Sequence, residues 1–261
     1  MEAVIRLLPY AEANGATNMA ADETLLRSAA HGTASLRFYG WRAATLSLGY
    51  FQPCTVRLAE RPWAVLPWVR RPSGGATLVH HHELTYALAL PAGARWQSGP
   101  SWLLRMHRII EAALAELGLA EFPDSNQISP TKPITFSFRS SVSDPRGSEC
   151  EVLCFHQFTF GDLLCAGRKV VGSAQRKHRQ ALMQHGSILL AQSEHAPSLP
   201  GIREIAGVVV PTSQMQKSIL QSFVKETGWG AELDEWSEQE KMCIEELVGG
   251  KYATAAWNEK R

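Results

Sequence analysis

The sequence predicts an α+β fold, not a doubly wound parallel sheet. Short strand-like runs outnumber helical stretches, and between residues 36 and 90 they follow one another with no helix in between. Glycine and proline punctuate them, as in Gly40-Trp41, Gly49 and Pro72-Ser73-Gly74-Gly75. The 261 residues fit one large domain, or one domain with a small appendage. The expected division is a main domain over 1–211 and a C-terminal helical extension over 212–261 packed on it.

The elements read as follows. Residues 18–30 form a helix, with Met19, Leu25 and Leu26 on a face shared with small alanines. Residues 36–39, 44–48 and 64–70 are strands. The Pro72-Ser73-Gly74-Gly75 turn follows, since glycine takes positive φ freely. Residues 77–82 and 84–90 resume strand character. Leu103, Met106, Ile110, Leu114 and Leu117 recur at helical spacing over 102–117, and Gly118 stops that helix. Residues 124–149 are polar and proline-bearing, a long surface loop. Residues 152–160, 162–171 and 187–190 are further strands. A proline-rich connector leads to a helix over 212–227 and a helical tail over 236–248 and 252–257.

Composition narrows the function. Apolar residues make up 45%, close to the globular average. Twenty-six basic residues against 25 acidic ones give a net charge of +1, which supplies no general field for nucleic acid. No run approaches ~20 apolar residues, so no membrane span is expected. Residues 1–11 carry Glu2 and lack the long apolar run of a signal peptide. Cys54, Cys150, Cys154, Cys165 and Cys243 are odd in number and irregular in spacing. That argues against a disulfide framework and for reducing cytoplasm, where free thiols survive.

Three segments could carry chemistry. Arg70-Arg71-Pro72-Ser73-Gly74-Gly75 offers backbone N–H groups to a carbonyl or phosphate oxygen, and is equally an ordinary hairpin turn. No Walker A or G-x-G-x-x-G pattern is present, so nucleotide binding lacks a motif. His80-His81-His82-Glu83, read as a strand, puts His80 and His82 on one face. A zinc site would need further ligands that no C-x-x-C pair supplies, so these histidines line a pocket or fill a strand face, and no metal is expected. The third segment is Cys154-Phe155-His156 followed by the run 167–175. A thiol of ordinary pKa ~8.5 needs a base or cation to become a nucleophile. Lys169, across a hairpin and inside an apolar tunnel, or His156, two residues along a strand, could take its proton. Cys154 also reads as a plain core thiol. The basic run Arg176-Lys177-His178-Arg179 reads as a solvated turn or as a surface for an acidic carrier protein.

The order of these segments resembles the superfamily of lipoate–protein ligases, octanoyltransferases and biotin–protein ligases. The likeness runs along most of the chain. It includes the helix from Asn18 to Glu23, the strands at 36–41 and 46–52, and the Arg70 to Gly75 loop with His80, His82-Glu83-Leu84-Thr85-Tyr86. It continues through Gly167-Arg168-Lys169-Val170-Val171-Gly172-Ser173-Ala174-Gln175, Gln184-His185-Gly186-Ser187 and the tail with Lys251-Tyr252 and Trp257-Asn258. Cys154-Phe155 stands where the cysteine-dependent octanoyltransferase branch carries its Cys-Phe pair, although Gln157-Phe158-Thr159 replaces the Pro-Ser that usually follows.

The resemblance implies a ligase-type catalytic domain of mixed antiparallel sheets flanked by helices. It implies that Cys154 takes an octanoyl chain from acyl carrier protein as a thioester, with Lys169 assisting proton transfer. Arg71, Ser73, Gly74, Gly75, His80, His82, Gly172, Ser173, Ala174, Gln175, His185 and Gly186 would bind the acyl substrate. The acceptor would be a lysine of a lipoyl domain, in the glycine cleavage H protein or a dehydrogenase E2, and no cofactor would be needed. ATP-dependent ligases of this fold adenylate free lipoate instead, would need ATP and magnesium, and carry an Asn-Asp element ahead of the lysine motif. Asp124-Ser125-Asn126-Gln127 is not that element. An amidotransferase passing the chain between lipoyl domains, a non-catalytic acyl-binding protein and a cysteine hydrolase are the other readings.

Overall fold

The structure, a computed structural model, describes residues 3–58, 61–119, 136–138 and 153–261. Eleven strands form two sheets among these residues: β1 (Val4–Ala13), β2 (Ser35–Trp41), β3 (Thr45–Leu48), β4 (Trp68–Arg70), β5 (Leu78–His80), β6 (Glu83–Leu90), β7 (Phe136–Phe138), β8 (Leu163–Cys165), β9 (Arg168–His178), β10 (Ala181–Leu189) and β11 (Gly230–Leu233). The large sheet runs β11-β1-β2-β6-β10-β9-β8-β7 and the small one β4-β3-β5. Pairings around β1 are parallel, and those from β2 to β7 are antiparallel. The helices are α1 (Gly15–Ala30), α2 (Ala94–Gln97), α3 (Trp102–Glu116), α4 (Ile202–Ala206), α5 (Thr212–Thr227), α6 (Glu238–Leu247) and α7 (Ala255–Asn258). None of them is long and apolar enough to cross a membrane.

Alternation along the central strands sends side chains to two cores. Leu84, Tyr86 and Leu88 of β6 face a core with Met106 and Ile110 of α3 and Met215, Ile219 and Phe223 of α5. Ala87 and Ala89 face the other core, with Met19, Leu25 and Leu26 of α1 and Leu247 of α6. Asn14 caps α1 by accepting from the Thr17 N–H at 2.9 Å. A third cluster, with Leu46, Leu48, Val79 and Leu153, lies under the small sheet.

Several expectations need correction. Residues 154–156 form one 3₁₀ turn, not part of a strand. The segment 212–261 is not wholly helical, because β11 extends the large sheet beside β1. The polar stretch 124–149 contains β7, paired with β8, and its other residues lie outside those described. Cys150 and Asp124-Ser125-Asn126-Gln127 also lie outside them. Residues 176–178 are not a turn but the end of β9, whose tip is Arg179-Gln180 with φ of 46° and 66°. β1, absent from the sequence reading, has an irregular burial pattern and a register shift between Leu8 and Ala11, around Pro9.

Candidate active site

The site lies between α1, the large sheet and the small sheet. Cys154 arrives on its 3₁₀ turn, fixed because the Cys154 N–H donates to the Thr77 carbonyl at 2.7 Å. Leu153 bridges to Thr77 and buries in the cluster under the small sheet. The thiol is half-buried and free.

Lys169 reaches it across the β8–β9 hairpin, with Nζ 3.8 Å from Cys154 Sγ. The amine donates to the Cys154 carbonyl at 3.3 Å and the Gln157 carbonyl at 3.1 Å, and it pairs with Asp162 Oδ2 at 2.8 Å. Both partners of that ion pair are almost fully buried, with side chains 2% exposed. The apolar tunnel expected around Lys169 is therefore replaced by three oxygens, and the geometry presents the amine as a donor rather than a proton acceptor. His156 is turned away, its Nε2 3.0 Å from Ser198 Oγ.

Asp162 was missed in the sequence. It is the acidic residue just ahead of the lysine motif, preceded by Gly161. The available signal was its place at the mouth of a hairpin whose far strand carries Lys169. Asp162 Oδ2 also accepts from the Thr159 N–H at 2.7 Å and Thr159 Oγ1 at 3.0 Å, which holds the carboxylate still. A second missed residue is His107 of α3. Its Nδ1 donates to the Gly161 carbonyl at 2.6 Å, and its Nε2 lies 2.6 Å from Ser173 Oγ. Burial lowers its pKa below the ordinary 6.5.

Glycine makes room at two points. A Cβ on Gly172 would meet Lys169 Cε at 2.7 Å, so glycine there leaves the lysine the room that a larger residue would take. A Cβ on Gly49 would meet the Gly75 carbonyl oxygen at 1.8 Å, so Gly49 lets the Gly74-Gly75 loop fold against β3.

Cys154 opens on a narrow cleft of about 410 Å³ counted out to its mouth. Met19, Tyr39, Trp41, Leu78 and Phe155 make its apolar wall. Arg71, His80, Gly172, Ser173, Ala174, His185 and Gly186 also line it. Ser73 touches it through His185, with Oγ 2.5 Å from Nε2. His185 Nδ1 donates in turn to Asp22 Oδ2 at 2.8 Å.

Arg71 donates to the Ser47 carbonyl and hydroxyl at 2.8 and 2.6 Å, and to the Gly74 and Ala76 carbonyls at 3.1 and 2.8 Å. It thereby ties the glycine loop to β3. Burial brings its pKa down to about 10. Because Ser47 accepts from Arg71, its own proton is free to go to His80 Nε2, 2.6 Å away. His80 Nδ1 then donates to Glu83 Oε1 at 2.7 Å. Burial lowers the His80 pKa, while His80 and the Thr85 and Ser187 hydroxyls hold the Glu83 carboxyl below its ordinary range.

Besides Ser73, which meets the cleft only through His185, four predicted residues are not brought to its wall. Gly74 and Gly75 lie in the loop behind Arg71, and Gln175 is exposed, with Nε2 donating to Gln184 at 2.8 Å. The expected alternation of His80 and His82 fails because residues 81–82 bend between β5 and β6. His82 is exposed and stacks on His81 at 3.7 Å. Among the described residues, no three His, Cys, Asp or Glu side chains converge as metal ligands.

Comparison with known proteins gives the family and the fold. Residues 14–223 match the lipoyl protein ligase A/B catalytic domain. The chain is 32% identical to the octanoyltransferase LipM of Bacillus subtilis, over 98% of each chain. Its fold is that of a Thermoplasma acidophilum protein described as a lipoate protein ligase and solved with lipoic acid. The TM-score there is 0.69 at 20% identity, covering 99% of this chain and 100% of the other. A further Thermoplasma acidophilum structure, described as a bipartite lipoate protein ligase with its E2 lipoyl domain, matches at TM-score 0.68 and 19% identity, covering 99% and 97%. The chain therefore belongs to the lipoyl protein ligase A/B catalytic domain family.

Proposed function

We propose that the chain is an octanoyltransferase that carries the acyl group on Cys154. The observation that supports this reading is the 3.8 Å approach of the Lys169 amine to a free, half-buried Cys154 thiol at the mouth of an apolar cleft. A cation beside the sulfur offers a counter-charge to the thiolate. The thiolate attacks the carbonyl of octanoyl-acyl carrier protein, a C–S bond forms, and the carrier thiol leaves with a proton. The amine of a lipoyl-domain lysine then attacks the acyl-cysteine. An amide forms, Cys154 leaves as thiolate, and the amine's surplus proton returns to solvent. The acceptor is a lipoyl domain of the glycine cleavage H protein or dehydrogenase E2 type, and the setting is the cytoplasm. A thioester is already activated, so this route uses neither ATP nor another cofactor.

Intact-mass spectrometry tests it. Mixing the protein with octanoyl-acyl carrier protein, without ATP, should add one octanoyl group, and Cys154→Ser should abolish the adduct. An ATP-dependent ligase would instead consume ATP with free lipoate and tolerate loss of Cys154. Cys165 is a poor rival nucleophile, since it is fully buried and its thiol is pushed up to about 11. Each CH₂ buried in the cleft contributes ~0.8 kcal/mol. A hexanoyl donor should therefore react roughly tenfold less efficiently, read as kcat/KM.

A further inference from the structure

A second concavity, of about 920 Å³ counted to its open mouth, lies beside the acyl cleft. Its walls are the C-terminal half of α1, the outer end of the β9–β10 hairpin and the tail around Lys251 and Trp257. The two depressions adjoin through the glycine loop, because Pro72 lines this groove and the neighbouring Ser73 bonds to His185 in the cleft. Arg176 secures the junction by donating to the Pro72 carbonyl at 3.2 Å.

The groove is strongly basic in a chain whose net charge is only +1. Arg27, Arg176, Arg179 and Lys251 line it, with the imidazoles of His31 and His178, against the single carboxylate of Glu23. Glu23 is already shared by Arg27 at 2.7 Å and Lys251 at 2.5 Å. Arg176, His178 and Arg179 are exposed, and no described carboxylate pairs with them. Strand alternation sends Arg176 and His178 into the groove and Lys177 to the opposite side. At the hairpin tip Arg179 sits at φ of 46°, an uncommon conformation for a residue with a side chain.

We propose that this groove docks the acidic carrier protein that donates the acyl chain, a proposal that rests on the octanoyltransferase reading. Charge complementarity selects an acidic partner. The reacting group selects the donor over the acceptor. A carrier delivers its chain on an arm bearing a phosphodiester, an anion that guanidinium groups attract. The acceptor delivers a lysine amine, a cation that the same groups repel.

The test is binding of octanoylated holo-acyl carrier protein, measured by fluorescence anisotropy at several salt concentrations. Arg179→Glu should weaken binding about tenfold or more and flatten its salt dependence. Lys177→Glu, the same charge change on the opposite side of the strand, should alter it far less. Acylation by octanoyl-pantetheine, which has neither phosphate nor protein, should be the same in both variants and the wild type, and that rules out misfolding. Equal loss in the two variants, or none in either, would overturn the proposal. So would an Arg179→Glu defect confined to the lipoyl-domain acceptor, or an oligonucleotide bound more tightly than the carrier. If wild-type protein binds the carrier through Arg179 yet takes no octanoyl group from it, the docking surface stands and the transferase reading falls.

Discussion

Lys169 is placed by two neighbours that do nothing else in the proposed chemistry. Gly172 leaves it room, and Asp162 holds its charge. Gly172→Ala should push the amine away from both the Cys154 sulfur and Asp162, slow acyl-enzyme formation about 10²-fold, and lower stability by no more than the loss of that ion pair costs. Time-resolved intact-mass spectrometry reads the rate. Asp162→Asn should be costly in a different way. It leaves a buried ammonium facing carbonyl oxygens alone, and breaking a buried pair destabilises by about 3 kcal/mol. Urea unfolding would read the loss, and an unchanged midpoint would show that the pair contributes nothing. Cys154 and Lys169 were legible in the sequence because each stands in a recognisable run. Asp162 was not, because its reach depends on hairpin register. The β8–β9 pairing shifts between Leu163 and Leu164, and no residue type announces such a shift. His107 was hidden for another reason. It lies on a helix remote in sequence and meets Gly161 and Ser173 only after α3 docks on the sheet.

At the scale of elements, the helix over residues 212–227 is part of the main core rather than an appendage to it. Phe223 is fully buried, stacks on Trp102 of α3 at 6.2 Å and meets Trp229 edge-on at 5.9 Å. Phe223→Ala should cost about 3–5 kcal/mol, seen as a lower melting temperature. Acylation at low temperature should survive, because no part of α5 lines the cleft. Helices α1, α3 and α5 were legible because apolar spacing of 3–4 residues marks the face they bury. The missing strands lacked their own signal. β1 is interrupted by its irregularity around Pro9, and β11 has four residues, none of them buried. The β9–β10 hairpin was truncated in the reading because its two-residue tip is Arg179-Gln180, not the Asn-Gly or Asp-Gly that usually marks such a turn. The Cys154 turn was read as strand because its apolar neighbours suit either state, and the choice is made by the distant Thr77 carbonyl.

For the whole molecule, the buried polar network around the cleft makes stability depend on pH with a definite sign. Burial lowers the pKa values of His80 and His107 below the ordinary 6.5. Between the lowered values and 6.5 the unfolded chain binds protons that the folded chain refuses. Unfolding therefore gains protons there, and stability rises with pH. The contribution is complete above about 6.5 and is lost as pH falls towards the folded values. Glu23, Glu83 and Glu240 act in the same direction further down. Their carboxyls are held below the ordinary 4.5 by Lys251, by His80, and by Ser28 with Arg6, each outweighing a burial effect that acts the other way. Their contribution is complete above about 4.5 and is lost below it. The Cys165 thiol begins the alkaline edge near 9, since burial raises it to about 11, and Tyr39, Tyr86 and Tyr252 extend it, since burial raises each above 10 and the unfolded chain ionises first in every case. The expected profile is a plateau between about 6.5 and 9, with a decline that begins near 6.5 on the acid side and steepens below 4.5, and an alkaline decline that begins near 9 and steepens above 10. Urea midpoints across this range would measure it. His107→Asn keeps a donor near the Gly161 carbonyl but does not titrate, so it should flatten the first part of the decline while leaving the part below 4.5 intact. A wild-type profile that stayed level from pH 7 to pH 5 would mean that these imidazoles take up protons in the folded state. The neutral hydrogen-bond directions along Ser47, His80 and Glu83 would then be wrong.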